Sequence, residues 1–227
     1  MHLAKNRNTL SASSVILKLK MLVFMLLSYL VSVGLAWLRP KPYQIKCSED
    51  AIRRGWSRPI VSLTRATQHF TLFSLLLVVC ALASGHRETA VVATSLELLV
   101  FFLYHGIASY DPTLLGYDNP DLIRECMGWR PPFSRYIVVW LGLHIQHTLA
   151  PFILWGYAEH RPEDESLVFG ALFFYIMWNH FCWSVQGRPA YPIQEKLWHR
   201  GRPVYWGSVF ACFLLSSLAA SFLDTLY

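Results

Sequence analysis

Apolar residues in this chain gather into six long stretches, at about 17–38, 66–84, 89–108, 136–158, 166–185 and 203–223, with polar or basic segments between them. A helix that crosses the hydrocarbon of a bilayer needs about 20 apolar residues at 1.5 Å each, and every stretch is close to that length. Backbone N–H and C=O groups in lipid must be satisfied within the segment, so these stretches read as helices. The short alternating segments of a transmembrane barrel do not occur. The pattern predicts an all-α, polytopic membrane helical bundle with about six transmembrane helices over 17–227, after a polar N-terminal segment, 1–16. Arg39-Pro40-Lys41-Pro42 should stop the first helix, since a prolyl ring disfavours helix at and before its position. The short link Gly85-His86-Arg87-Glu88 should join the second and third stretches as a hairpin. The segments 39–65 and 186–202 are expected as basic loops.

Polar residues inside the apolar stretches argue for more than an anchor. An ionisable side chain at the centre of a bilayer costs about 2.5–3.5 kcal/mol on insertion scales, so such residues should face the bundle interior. The densest case is Leu143-His144-Ile145-Gln146-His147-Thr148 in the fourth stretch. His144 and His147 are three apart and are expected on one helix face, and Pro151 is expected to kink the helix there. The fifth stretch carries Asn179 and His180, the third carries Glu97, and the second carries Thr67 and Thr71.

Composition changes the picture in two respects. The chain is 54% hydrophobic, too apolar for an ordinary soluble domain of 227 residues. Its net charge of +6 comes from Lys and Arg at the ends of the apolar stretches, where they mark orientation and attract anionic headgroups. Membrane lipids, and not nucleic acid, are therefore the expected partners of the charge. The larger basic set lies in the first, third and fifth loops, which places both termini on the non-cytosolic side; Lys18 and Lys20 argue the other way. The first stretch is long for a signal peptide and no A-x-A site follows it, so it reads as a signal anchor. Five cysteines are too few for a disulfide scaffold. An integral, multi-pass protein of an endomembrane or the plasma membrane is expected.

The intramembrane polar residues suit two chemistries. A histidine metal site needs several imidazoles per ion, and only one H-x-x-H occurs, so no metal is expected. A nucleophile and base pair needs fewer groups. A threonine hydroxyl is a weak nucleophile that must lose its proton to a neighbouring base, and a neutral imidazole is the usual one. Asn179 could donate to an oxyanion, or tie two helices together. Glu97 could fix a histidine tautomer. For each threonine the bland alternative is a bond to the carbonyl four residues back.

Four pieces of sequence, in order over about 60–195, resemble the androgen-induced family of integral-membrane threonine hydrolases, which also holds the androgen-dependent regulator of tissue factor pathway inhibitor. They are His69-Phe70-Thr71-Leu72-Phe73; Tyr110-Asp111; His144-Ile145-Gln146-His147-Thr148 followed by Pro151-Phe152; and Tyr175 to Trp178 followed by Gly187, Tyr191-Pro192 and Glu195. The resemblance implies a membrane-embedded hydrolase of fatty acid esters of hydroxy fatty acids. It implies Thr71 as nucleophile and His147 as base, with Thr67 as the reserve nucleophile, and no cofactor. His144, Asn179 and His180 are then expected to contact substrate, orient the base or hold the oxyanion. The lipid ester is the expected partner.

Depth is one test of the pair. Along straight helices Thr71 lies about 9 Å beyond Arg65, whereas His147 lies about 18 Å beyond Arg135, at 1.5 Å per residue. Measured from the far ends, the depths are about 22 and 18 Å, so a mismatch of roughly 4–9 Å is expected. Two other readings stay open. Arg200-Gly201-Arg202-Pro203-Val204-Tyr205-Trp206-Gly207 resembles a cofactor motif of membrane methyltransferases and sterol reductases. A non-catalytic lipid-binding or interaction protein, or a small transporter, would use the same polar residues only to hold helices together.

Overall fold

The computed structural model describes residues 12–38, 42–115, 144–153 and 161–224. Among them every regular element is helical. The chain runs through α1 (Ala12–Leu38), α2 (Pro42–Arg53), α3 (Arg58–Thr67), α4 (Phe70–Ser84) and α5 (Arg87–Tyr110), then a 3₁₀ turn, Pro112–Leu115. A π-helical turn, Ile145–Leu149, continues directly into the short α6 (Ala150–Ile153). α7 (Glu165–Gln186), α8 (Pro192–His199) and α9 (Arg202–Asp224) complete the order.

Three helices among the described residues are long and apolar enough to cross a membrane: α1 over Ile16–Gly34, α5 and α7. α3 and α4 make a fourth crossing if they are taken together, bent by 82° at the break between them. The described residues thus give three or four of the about six expected crossings. The fourth apolar stretch, 136–158, is described only over 144–153, and α9 is a 23-residue helix at the place of the sixth without being one of the helices that qualify. The 39–65 segment is not a loop: it folds into α2 and most of α3. The 186–202 segment likewise contains α8.

The α4–α5 hairpin forms as expected. Gly85 closes α4 in the left-handed conformation, φ +67°, and donates its N–H to the Ala81 carbonyl at 2.9 Å. Lipid tails are as apolar as leucine, so close packing and small residues, rather than exclusion from water, draw such helices together. Here Ala81 of α4, Ala90 and Ala93 of α5 and Ala150 of α6 meet in one buried cluster with Leu75, Val78 and Met25. A second cluster joins Leu96, Leu99 and Val100 of α5 to Phe70 of α4 and to Val168, Leu172 and Tyr175 of α7. α5 is thus the central helix, buried on every side from Ala90 to Val100, while Leu17, Leu19, Leu27 and Leu30 of α1 face outward.

Charged groups pin the helix ends. At one end of the bundle the Arg87 guanidinium donates to both oxygens of Asp164, at 2.6 and 2.7 Å, and Asp164 also accepts the Arg161 N–H at 2.9 Å. This bidentate geometry ties the start of α5 to the start of α7. At the other end Arg54, just after α2, donates to the Val185 carbonyl at 2.7 Å, one of the last turn of α7. Asp164→Ala should lower the thermal midpoint of the detergent-solubilised protein, because it leaves Arg87 facing a site without its anion. Adding Arg87→Ala should lower it little further, and a double-mutant cycle read by thermal unfolding checks this coupling.

Candidate active site

A broken helix sets the first half of the site. α3 ends at Thr67 and α4 starts at Phe70, so the last carbonyls of one helix and the first N–H groups of the other have no partners within their own helices. α7 and the residue before α8 supply them. The Gln68 carbonyl accepts from the Tyr175 hydroxyl at 3.1 Å and from the Asn179 amide at 3.1 Å. The Thr67 carbonyl accepts from the Trp178 indole at 3.3 Å. The Phe70 N–H donates to the Tyr191 hydroxyl at 3.1 Å. Thr71 is therefore the second residue of a 15-residue helix, not a mid-helix residue. Its hydroxyl and backbone amide both interact with the Tyr191 hydroxyl. The depth expected for Thr71 along a straight helix therefore does not apply, because Arg65 and Thr71 are on separate helices.

The second half comes from the π-turn. A π-turn closes its hydrogen bonds five residues apart and spreads residues further round the axis than an α-turn does. His144 and His147 accordingly do not share an environment, although both are buried. His147 stacks face to face on Tyr104, with ring centroids 3.9 Å apart and planes 8° from parallel. His144 turns to Thr148, whose hydroxyl lies 3.2 Å from His144 Nδ1 and 3.0 Å from His105 Nε2. One hydroxyl proton serves one acceptor, so one of these imidazoles accepts from Thr148 and the other donates to it. The distortion expected from Pro151 is present as this turn, just ahead of the proline.

Thr71 and His147 line one cavity of about 440 Å³. Leu99, Val100, Leu103, Ile107 and Leu172 make most of its wall, and α8 and α9 cover it with Leu197, Val209 and Leu215. Its polar groups are few: Thr71, His147, Asn179, Gln194, Ser208 and the phenols of Tyr104, Tyr175, Tyr191 and Tyr205. An apolar hollow with a few convergent polar groups is the usual form of a lipid or small-molecule site. His147 lines the cavity, and its Nδ1 is shut off inside the protein and makes no hydrogen bond. Burial pushes the Tyr191 phenol above its ordinary value, so it is a neutral O–H beside Thr71.

The other sequence candidates fall in different places. Asn179 lines the cavity, but its amide is tied to Gln68 and Tyr175, and its carbonyl accepts from Gln194 at 2.9 Å. His144 lies behind the cavity wall in the Thr148 network, and His180 lies behind Tyr205, 3.0 Å from its hydroxyl and packed between Trp183 and Trp206. Thr67 donates to the Leu63 carbonyl at 2.8 Å, the bland alternative, and does not line the cavity. Glu97 is fully buried, with Ser74 as its polar neighbour and no histidine on its carboxyl oxygens. Tyr205 of the 200–207 motif lines the cavity. Tyr104 and Tyr191 went unnoticed in the sequence; Tyr191 was visible only as part of a Tyr-Pro pair. Asn179→Leu should leave Gln194 without its acceptor and cost about 1–3 kcal/mol. Thermal unfolding of the purified protein, followed by tryptophan fluorescence, measures that loss.

No curated protein sequence and no solved structure matches the chain. The model of one family, described as FAR-17a/AIG1-like protein, matches residues 82–225. The match holds His144, His147, Asn179, His180 and the cavity residues of α5, α7, α8 and α9, and it begins after Thr71. It covers more than half of the sequence, and the chain belongs to the FAR-17a/AIG1-like family, the androgen-induced family that its motifs resemble.

Proposed function

We propose that this protein is a membrane-embedded hydrolase of fatty acid esters of hydroxy fatty acids, with Thr71 as nucleophile and His147 as base. The observation that carries the reading is that one threonine and one histidine, from separate parts of the chain, face the same apolar cavity. Membership of a family with threonine hydrolases among its members supports it. In this reading the acyl chains lie along the leucine and valine wall. His147 Nε2 takes the Thr71 proton as Oγ1 attacks the ester carbonyl carbon, and the imidazolium returns the proton to the departing alcohol. Water, deprotonated by the same nitrogen, then cleaves the acyl-threonine and restores the hydroxyl. The positive end of α4 lies beside Thr71 and favours negative charge there. The Tyr191 oxygen accepts the Phe70 N–H, and in this reading its hydroxyl turns from Thr71 to the oxyanion as the ester carbonyl is attacked.

A second reading has an observation in its favour. The Thr71 hydroxyl is already engaged by Tyr191, as it would be in a pocket that only holds a lipid. Purified protein in detergent separates the two. Thr71→Ala and His147→Ala should each reduce ester cleavage by at least a hundredfold, the scale of a lost base or nucleophile. Undiminished cleavage by either variant removes that residue from the mechanism. Labelling of the parent by a serine/threonine-directed fluorophosphonate, lost in Thr71→Ala, favours the enzyme; an unlabelled, inert parent favours the binding protein.

A further inference from the structure

We propose that Tyr104 is a positioning residue for His147: its ring face fixes the imidazole and stabilises the positive charge the imidazole gains on taking a proton. The inference rests on the catalytic reading above. A histidine base in a hydrolase usually has a carboxylate behind it that holds the ring and balances the imidazolium. His147 has none. Its Nδ1 is buried and makes no hydrogen bond. The titratable groups that act on it are His105 on α5, His144 on its own turn and His69 at the α3–α4 break, and none of these brings negative charge. Glu97 of α5, seven residues before Tyr104, makes no hydrogen bond to it. The other phenols of the cavity, Tyr175, Tyr191 and Tyr205, are neutral groups.

Among the described residues Tyr104 is the ring that stacks on the imidazole face. The rings lie 3.9 Å apart and nearly parallel. The face of a phenol is the negative end of its quadrupole, and a cation over it is attracted most strongly where water is excluded. Tyr104 is itself fixed: it is 5% exposed, sits on the most buried helix and meets His105 edge-on at 5.2 Å. The face therefore cannot be replaced by solvent when charge appears. The contact also selects ring orientation, since it holds the plane of an imidazole that lines the cavity.

The test uses purified full-length protein in detergent with Tyr104→Phe, Tyr104→Trp and Tyr104→Leu. Phe and Trp keep an aromatic face and should stay within about threefold of the parent in kcat. Leu should lower kcat about 30-fold, equivalent to about 2 kcal/mol at 1.36 kcal/mol per decade, with KM little changed. Losing the face removes stabilisation of the imidazolium, so the acid limb of the kcat–pH profile should move to lower pH in Tyr104→Leu and not in Tyr104→Phe. A Leu variant that keeps both the rate and the limb overturns the proposal, as does a Phe variant damaged as much as Leu. A structural readout works without turnover. In histidine-labelled protein, with the resonance assigned by His147→Ala, the His147 ring protons should carry an upfield ring-current shift that Leu abolishes and Phe and Trp retain. Absence of that shift in the parent overturns the contact itself. An inactive parent that shows the shift overturns the hydrolase reading and the charge-stabilising role, and leaves only the placement of the ring.

Discussion

The break between α3 and α4 is the feature on which the rest of this structure depends. Inside a bilayer, interrupted helix is tolerated only where protein or a lined cavity satisfies the freed backbone groups. At Gln68 and His69 that demand is met from α7 and from the residue that caps α8. Tyr175, Trp178, Asn179 and Tyr191 converge on a few backbone atoms, and their convergence fixes where α7 and α8 stand relative to α4. The cavity is the space left beside this knot of hydrogen bonds. Thr71 reaches it because it occupies the first turn of the restarted helix, where a side chain and a backbone amide both face away from the helix body.

Much of the architecture was legible as hydropathy, and what was missed shares a cause. Long apolar stretches announce crossing helices regardless of partners, so α1, α5 and α7 stand where the pattern put them. Amphipathic helices at a surface average to polar, and α2 and α3 were read as loop for that reason, although Pro59 in the first turn of α3 is a helix-start signal. The break itself is marked only by Gln68-His69 inside an otherwise apolar run, a pair that averaging conceals. The fourth apolar stretch falls mostly outside the described residues.

For the site, residue type was a better guide than helical spacing. The family resemblance singles out Thr71 and His147 and the cost of an amide in lipid singles out Asn179, and all three line one cavity. His144 was paired with His147 by the three-residue rule, which holds for α-turns. Ile145–Leu149 is a π-turn, and the pair separates into two networks. No sequence signal near His144 distinguishes the two kinds of turn. Aromatic residues were harder still. Trp and Tyr carry no spacing signal that says which ring lies on which imidazole. Yet Tyr104 stacks on His147 and Tyr191 interacts with Thr71, the two groups proposed to react.

A π-turn can be viewed as an α-helix that carries one residue too many. Deleting a single residue between His144 and Ala150 would let ordinary winding resume. Everything beyond would then swing by about 100° relative to what precedes it, since 3.6 residues complete a turn. Related chains that differ by one position in this short stretch would present a different side chain to the hollow, even with every neighbouring letter unchanged. Comparing such chains column by column would pair histidines that point in unrelated directions. The phase of the winding, more than the spelling of the motif, decides which imidazole a lipid would meet.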